Sequence, residues 1–218
     1  RKKAGGFLNL CYNSDLSTEV TLQPIRRFDF DAAILFADIL LLPQALGMKL
    51  WFETGEGPRL EGLLNGFNIN NLKPVHDIHE TLHPIYQTIT NLTKELPKST
   101  TLIGFAGAPW TVMTYMAEGG SSRDFAITRE WAWKYPKQVD ALLSSLIEST
   151  IAFLSLQASA GADALMLFDS WASAVPAAQR DWLVIKPAQA IVQGVRKNGH
   201  EQPIIGFPKG FGDGLIST

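Results

Sequence analysis

The sequence predicts an α/β fold with parallel β-strands, and three observations indicate it. Four short runs are almost continuously apolar, which is typical of strands that are covered on both faces. Segments with a helical spacing of apolar residues separate these runs. Each run ends in a segment that is polar or rich in glycine and proline. Strands that alternate with helices in this way favour a parallel sheet.

The predicted strands comprise residues 32–39, 101–106, 163–168 and 203–207. The predicted helices comprise residues 77–96, 123–133, 136–160 and 181–197. The third helix has the clearest apolar periodicity, and Gly161 provides its stop signal. Pro84 should kink the first helix. Residues 49–52, followed by Gly55 and Gly57, predict an edge hairpin outside the main sheet.

The size of the chain suggests a single domain formed by residues 1–218. A closed barrel of eight strand–helix units needs typically about 250 residues, whereas only four main strands are predicted. The sequence therefore predicts an incomplete (β/α)8 barrel of the TIM type.

Polar and small residues stand at the carboxyl ends of the predicted strands, where α/β folds place their chemistry. We expect these residues to lie on one rim of the sheet. They are Asp38, Gly107, Asp169, Ser170 and Lys209.

Composition excludes several classes of partner. The net charge of −2 gives no general attraction for nucleic acid or for an anionic membrane. No run reaches the ~18 uninterrupted apolar residues of a membrane span, and the basic residues 1–6 lack the apolar stretch of a signal peptide. Cys11 is the sole cysteine, so an intrachain disulfide is excluded and a thiolate zinc site is disfavoured. This fits a reducing compartment.

Asp38 is a carboxylate between apolar neighbours, in the segment LFADIL. Burial of such a group is costly unless something pairs with it. From its position alone, a structural role and a functional role are equally open. The structural role would be that of a helix cap or of a partner for a core arginine.

Two further segments carry candidate polar groups. Residues 101–120 run from a strand through small residues to Pro109 and then to Tyr115, which is by itself more typical of a core aromatic. They match neither of the phosphate-binding loop patterns, G-x-x-x-x-G-K-[ST] and G-x-G-x-x-G. Ser170 lacks a neighbouring histidine and a nucleophile elbow, so it is a candidate hydrogen-bonding group rather than a nucleophile.

His76, His79 and His83 share one face of a predicted helix. Their pattern is not H-E-x-x-H and has no thiolate partner, which favours a partly solvated helix face over a metal site.

Taken together, these segments resemble the uroporphyrinogen decarboxylase family along essentially the whole chain. The resemblance rests most strongly on VTLQPIRRFDFDAAILFADILLLPQALGM (20–48), IGFAGAPWTVMTYMAEGGSS (103–122) and GADALMLFDSWA (161–172). It implies a (β/α)8 barrel that forms a homodimer in the cytoplasm. It also implies the conversion of uroporphyrinogen III to coproporphyrinogen III in haem biosynthesis, without a metal or organic cofactor.

The resemblance also implies roles for particular residues. The essential aspartate of the family's F-S-D-I-L motif falls on Asp38, although Ala37 stands where serine is usual. The family's substrate-contacting tyrosine and serine fall on Tyr115 and Ser170. The apolar residues that pack on the macrocycle include Phe36 and Leu40, with Ile39 between them.

Arg1 matches a family arginine that lies downstream of an R-Q-A-G-R motif. The resemblance places that motif before Arg1, and an active-site histidine in a G-H-G context after Thr218. We therefore expect an N-terminal arm and C-terminal βα units outside these 218 residues.

The implied chemistry suits an ionised Asp38. Decarboxylation through a pyrrole protonated at carbon gives a cationic intermediate, which a carboxylate in a water-poor cleft stabilises. Two alternatives remain: a corrinoid-linked methyltransferase of the same superfamily, which would use zinc, and a non-catalytic tetrapyrrole-binding protein.

Overall fold

The computed structural model of the chain describes residues 4–53, 55, 57–63 and 68–212. The α-helices are α1 (Phe7–Cys11), α2 (Ser14–Phe28), α3 (Leu41–Ala45), α4 (Ile78–Glu95), α5 (Pro109–Glu118), α6 (Ala126–Lys134), α7 (Pro136–Ser159) and α8 (Lys186–Lys197). The strands are β1 (Ala32–Ile34), β2 (Leu50–Glu53), β3 (Gly57–Leu60), β4 (Thr101–Gly107), β5 (Ala164–Asp169) and β6 (Ile204–Pro208).

The main sheet has the order β1-β4-β5-β6, and every pairing in it is parallel. The carboxyl ends of these strands therefore meet at one edge, as the sequence predicts. Strands β2 and β3 form a separate antiparallel hairpin, which confirms the predicted edge hairpin.

Three of the predicted strands are confirmed to within a residue at either end, but the first is too long. Strand β1 stops at Ile34 rather than at residue 39. Its last bond to β4 is from the Leu35 N–H to the Ile103 carbonyl, at 3.0 Å. The next amide, of Phe36, donates instead to Thr21 Oγ1 on α2 at 3.0 Å. The chain thus leaves the sheet before it reaches Asp38.

A glutamine from α7 takes the place that β1 vacates beside β4. Gln157 Oε1 accepts the Phe105 N–H at 2.8 Å, and its Nε2 donates to the Phe105 carbonyl at 2.8 Å. Gln157 can approach this closely because Gly104 has no side chain: a Cβ there would stand 2.6 Å from Gln157 Oε1. Buried backbone groups need partners, and Gln157 supplies them where the strand does not.

The core lies between the sheet and the helices α4, α7 and α8. Helix α4 has Pro84 inside it, and a kink there stays a prediction. Helix α7 ends just before Gly161, whose φ of +112° favours glycine. The last predicted helix is divided into a π-helical turn, Asp181–Ile185, and α8.

The first two helices were not predicted from the sequence. Helix α2 begins after Asn13, whose side chain accepts the Leu16 N–H at 2.9 Å. Its buried face is largely polar and includes Ser17, Thr18 and Thr21. A face of hydroxyl residues does not produce the apolar periodicity by which helices are recognised.

Helix α7 is long and apolar enough to cross a membrane by length and composition. Half of its most apolar window is buried inside the protein, however, where α7 packs against α8, α4 and β4. Because core helices pass the same test, this helix is weak evidence for a membrane span.

We predict that Gln157→Leu lowers the free energy of unfolding by roughly 2–5 kcal/mol, because it leaves the Phe105 N–H and carbonyl unpaired in the core. Urea denaturation of the full-length protein measures this loss. Gln23→Leu on the exposed side of α2 is the control and should change stability by less than ~0.5 kcal/mol. Equal effects of the two substitutions would contradict the role given to Gln157.

Candidate active site

The loop after β1 carries Asp38 and holds its carboxylate by local bonds. Asp38 Oδ1 accepts the Leu40 N–H at 2.8 Å. The Asp38 carbonyl accepts the Leu41 N–H at 3.3 Å, which starts α3. The side chain is half-buried. Burial raises the pKa of Asp38, and the Leu40 N–H opposes this in part.

Two tyrosine hydroxyls lie within electrostatic reach of Asp38. Burial raises the pKa of Tyr115 on α5, and the charge of Asp38 adds to the increase. Burial likewise raises the pKa of Tyr12, with smaller contributions from Cys11 and Asp38. Both phenols therefore stay protonated and can donate hydrogen bonds. Tyr115 and Asp38, both marked by the family resemblance, thus lie within electrostatic reach of each other.

Tyr12 is a candidate that sequence reasoning missed. It lies between α1 and α2, and its hydroxyl donates to Gln44 Oε1 at 2.9 Å. A tyrosine so far before the first strand gives no local signal of a site. Only its position beside Asp38 in the folded chain reveals it.

A buried hydrogen-bond network joins the end of β5 to the start of α5. Thr111 Oγ1 donates to Asp169 Oδ1 at 2.5 Å and accepts the Trp171 N–H at 3.1 Å. Thr111 stands in the first turn of α5, so Asp169 stabilises the start of the helix that carries Tyr115. Burial raises the pKa of Asp169 to about 6, although bonds from the Thr111 side chain and backbone oppose it.

Gly107 marks the contact between the Asp38 loop and β4. A Cβ at Gly107 would stand 2.9 Å from Ile39 Cβ and 2.7 Å from Val112 Cγ2. The missing side chain therefore lets the loop pack on the strand end. The close approach at this glycine is thus made by the protein's own chain.

An apolar groove of about 530 Å³ lies beside the Asp38 loop. Phe36, Phe105 and Phe168 line it, together with residues of α2 and β1. A second cavity, of about 580 Å³, lies between β6 and α8 and reaches Asp169. The first has the apolar character expected beside Asp38, and Phe36 connects it to the loop.

The three histidines do not form a metal site in the part of the chain that the structure describes. His79 Nδ1 lies 2.9 Å from the Tyr86 hydroxyl, and burial lowers the pKa of His79. His76 lies outside α4, while His83 is exposed. Within residues 4–53, 55, 57–63 and 68–212, no three His, Cys, Asp or Glu side chains are grouped to hold a metal.

Comparison with known proteins identifies the family. The sequence profile of the family "Uroporphyrinogen decarboxylase (URO-D)" matches residues 1–218. The chain belongs to this family. It is 51% identical over 216 residues to the uroporphyrinogen decarboxylase of Ruegeria pomeroyi, and 50% identical over 216 residues to that of Jannaschia sp.. Each match covers 99% of this chain and 63% of the relative.

A solved structure supports the fold alone. A methyltransferase from Methanosarcina mazei superposes with a TM-score of 0.75 at 15% identity, over 94% of this chain and 59% of the other. Identity this low carries no information about the reaction. The α/β fold with a parallel sheet is thus shared well beyond the uroporphyrinogen decarboxylases.

The other residues marked by the resemblance to uroporphyrinogen decarboxylases differ from one another in burial. Ser170 is half-buried at the end of β5, between Asp169 and Trp171. Leu40 is 0% exposed. It lies in the core and offers no surface to a ligand, unlike the half-buried Phe36. Arg1 lies outside the described residues.

Protonation of Asp169 should make the free energy of unfolding depend on pH. Because its pKa is about 6 in the folded protein against an ordinary 3.8, the folded state gains stability from proton binding. That gain is complete below about pH 4 and is lost as the pH rises through about 6.

We predict that Asp169→Asn removes a pH-dependent difference on the order of 3 kcal/mol in the free energy of unfolding between pH 4 and 7. The asparagine oxygen can still accept the Thr111 hydroxyl, so the fold should persist. Urea denaturation of both proteins across this range measures the difference. A variant that retains the wild-type pH dependence would show that another group is responsible.

Proposed function

We propose that the protein is a uroporphyrinogen decarboxylase, which removes the carboxyl groups from the four acetate side chains of uroporphyrinogen III to give coproporphyrinogen III in haem biosynthesis. Family membership supports this reaction, although the chain spans 63% of the length of the relatives it matches. The observation that carries it is the half-buried Asp38 carboxylate within electrostatic reach of the Tyr115 hydroxyl, at the carboxyl edge of a parallel sheet.

Asp38 suits a reaction whose intermediate is a cation. Loss of carbon dioxide from an acetate leaves an electron pair, and a pyrrole protonated at carbon accepts it, so no cofactor is needed. An ionised carboxylate nearby stabilises the cationic ring, more strongly where water is excluded. It accepts hydrogen bonds only, so it can also bind the inward-pointing pyrrole N–H groups. Both roles need Asp38 in its charged form.

The remaining groups fit a substrate with an apolar ring and anionic side chains. Phe36, which is half-buried in the Asp38 loop, would pack against the macrocycle. Tyr115 and Ser170 would donate hydrogen bonds to acetate or propionate oxygens. By the family resemblance, Arg1 would pair with a carboxylate of the substrate, as arginine does well.

We also propose that the four parallel strands belong to a (β/α)8 barrel in the whole protein. Strands β1 and β6 stand at the two edges of the sheet. Large apolar side chains on these strands are open to solvent in the described part of the chain: Ile34 is 47% exposed, Ile205 41% and Phe207 45%. Further strand–helix units would cover them. A cytoplasmic homodimer follows from the family resemblance and is testable by sedimentation.

The two alternative functions would give different experimental results. A non-catalytic tetrapyrrole-binding protein would bind uroporphyrinogen III without forming coproporphyrinogen. A corrinoid-linked methyltransferase would contain zinc, for which Cys11 would be the thiolate ligand. Cys11 is 0% exposed in the core beneath α2, which argues against that role. Zinc analysis of the full-length protein separates it from the proposed decarboxylase.

We predict that Asp38→Asn lowers kcat at least ~100-fold, as loss of a preorganised electrostatic group does in other enzymes. The asparagine oxygen can still accept the Leu40 N–H, so the fold should be retained. Coproporphyrinogen formation by the full-length protein measures kcat, and the exposed Asp31→Asn is the control. In the wild type, activity should fall as the pH drops through the raised pKa of Asp38. Near-normal turnover by Asp38→Asn would overturn the assignment.

We predict that Ile205→Lys lowers the free energy of unfolding of the full-length protein by about 3 kcal/mol or more, because further barrel units would bury the charge. The control is Ile127→Lys on α6, where Ile127 is 52% exposed. It should change stability by less than ~0.5 kcal/mol. Urea denaturation measures both, and equal effects would contradict the barrel.

A further inference from the structure

The indole of Trp171 is packed beside Tyr115 and has a buried N–H. Its ring centroid lies 6.4 Å from that of Tyr115 and 4.9 Å from that of Phe125. Trp171 Nε1 is buried, and no acceptor among the described residues meets it in hydrogen-bond geometry. A buried donor without a partner typically costs ~1–3 kcal/mol, so this N–H needs a function that offsets the cost.

Both backbone polar groups of Trp171 are hydrogen-bonded. Its N–H donates to Thr111 Oγ1 at 3.1 Å, and its carbonyl accepts Trp110 Nε1 at 2.9 Å. Both partners stand in the first turn of α5, the helix that also carries Tyr115. The position of the indole relative to the Tyr115 ring is therefore set by the same helix.

Two groups act on the Tyr115 hydroxyl in opposite directions. Burial has the largest effect and raises the pKa of Tyr115, the indole of Trp171 lowers it, and the charge of Asp38 raises it. An indole N–H can only donate, whereas a phenol both donates and accepts. An indole donor on the oxygen therefore leaves the phenol proton for a different acceptor.

We propose that Trp171 is a positioning residue whose indole N–H donates to the Tyr115 oxygen, so that the Tyr115 proton is directed toward a carboxylate of the bound substrate. The relay runs from the Trp171 N–H to the Tyr115 O–H and on to the substrate. Its first bond joins the Trp171 N–H to the Tyr115 oxygen. The second forms when substrate arrives beside Asp38.

This inference rests on the proposed function, because the acceptor at the end of the relay is a substrate carboxylate. It predicts that Trp171 affects substrate binding only through Tyr115. A role in packing alone would affect binding whether or not the hydroxyl is present. The two roles can therefore be separated by removing the hydroxyl.

The test is a double-mutant cycle of Trp171→Phe and Tyr115→Phe in the full-length protein, with KM and kcat measured for uroporphyrinogen III. Both substitutions keep an aromatic ring. Trp171→Phe should raise KM about tenfold, as expected for one hydrogen bond, with little change in kcat. In the Tyr115→Phe background it should have no further effect on KM. Trp171→His, which keeps a ring N–H, should restore part of the loss.

Trp133→Phe is the matched control, because Trp133 is 78% exposed, and it should leave KM unchanged. Effects of the two phenylalanine substitutions that multiply would overturn the relay and indicate packing or direct contact with substrate. An unchanged KM in Trp171→Phe would overturn it as well. If the wild type does not turn over uroporphyrinogen III, the proposed function fails and the relay with it.

Discussion

Strand β4 has a strand neighbour on both sides at its start but only on one side at its end. Beyond Ile103 the place of β1 is taken by Gln157, which bonds to both backbone groups of Phe105. Unpaired backbone groups in a core cost ~1–3 kcal/mol each. The chain can therefore leave the sheet after Ile34 because α7 supplies the missing partner. The position of the Asp38 loop depends on this exchange.

The two carboxylates at the rim are used in different ways. Asp169 is buried and is bonded to Thr111, so it joins the end of β5 to the start of α5. Asp38 is only half-buried and is bonded to its own loop at Leu40. Its negative charge is therefore available to a ligand. Whether either aspartate can reach a ligand thus depends on whether a neighbouring helix uses its oxygens.

The sequence predicted the parts of the fold that depend on local pattern. The apolar runs located β4, β5 and β6, and the residues around Gly55 and Gly57 located the hairpin. Helix α2 was missed because hydroxyl residues cover its buried face. The length of β1 was wrong because residues 35–39 are as apolar as a strand, and their departure is caused by distant residues.

The candidate site, like the fold, was predicted from the sequence only in part. Family motifs selected Asp38, Tyr115 and Ser170, and in the structure the charge of Asp38 contributes to the raised pKa of Tyr115. No local pattern predicted Tyr12 or the burial of Leu40. Both follow from how the Asp38 loop folds back against the first two helices and α3.

By itself the sequence determined most of the segments that form strands and helices, and its long motifs determined the family. Those properties depend on neighbouring residues, so they can be read along the chain. Only the tertiary structure decided where β1 ends, which aspartate caps a helix and which indole faces Tyr115. These depend on contacts such as Phe105 with Gln157, 52 positions apart, and Thr111 with Asp169, 58 positions apart. The tertiary structure also showed that the Asp38 carboxylate lies beyond the end of β1, in a loop whose position depends on Gln157.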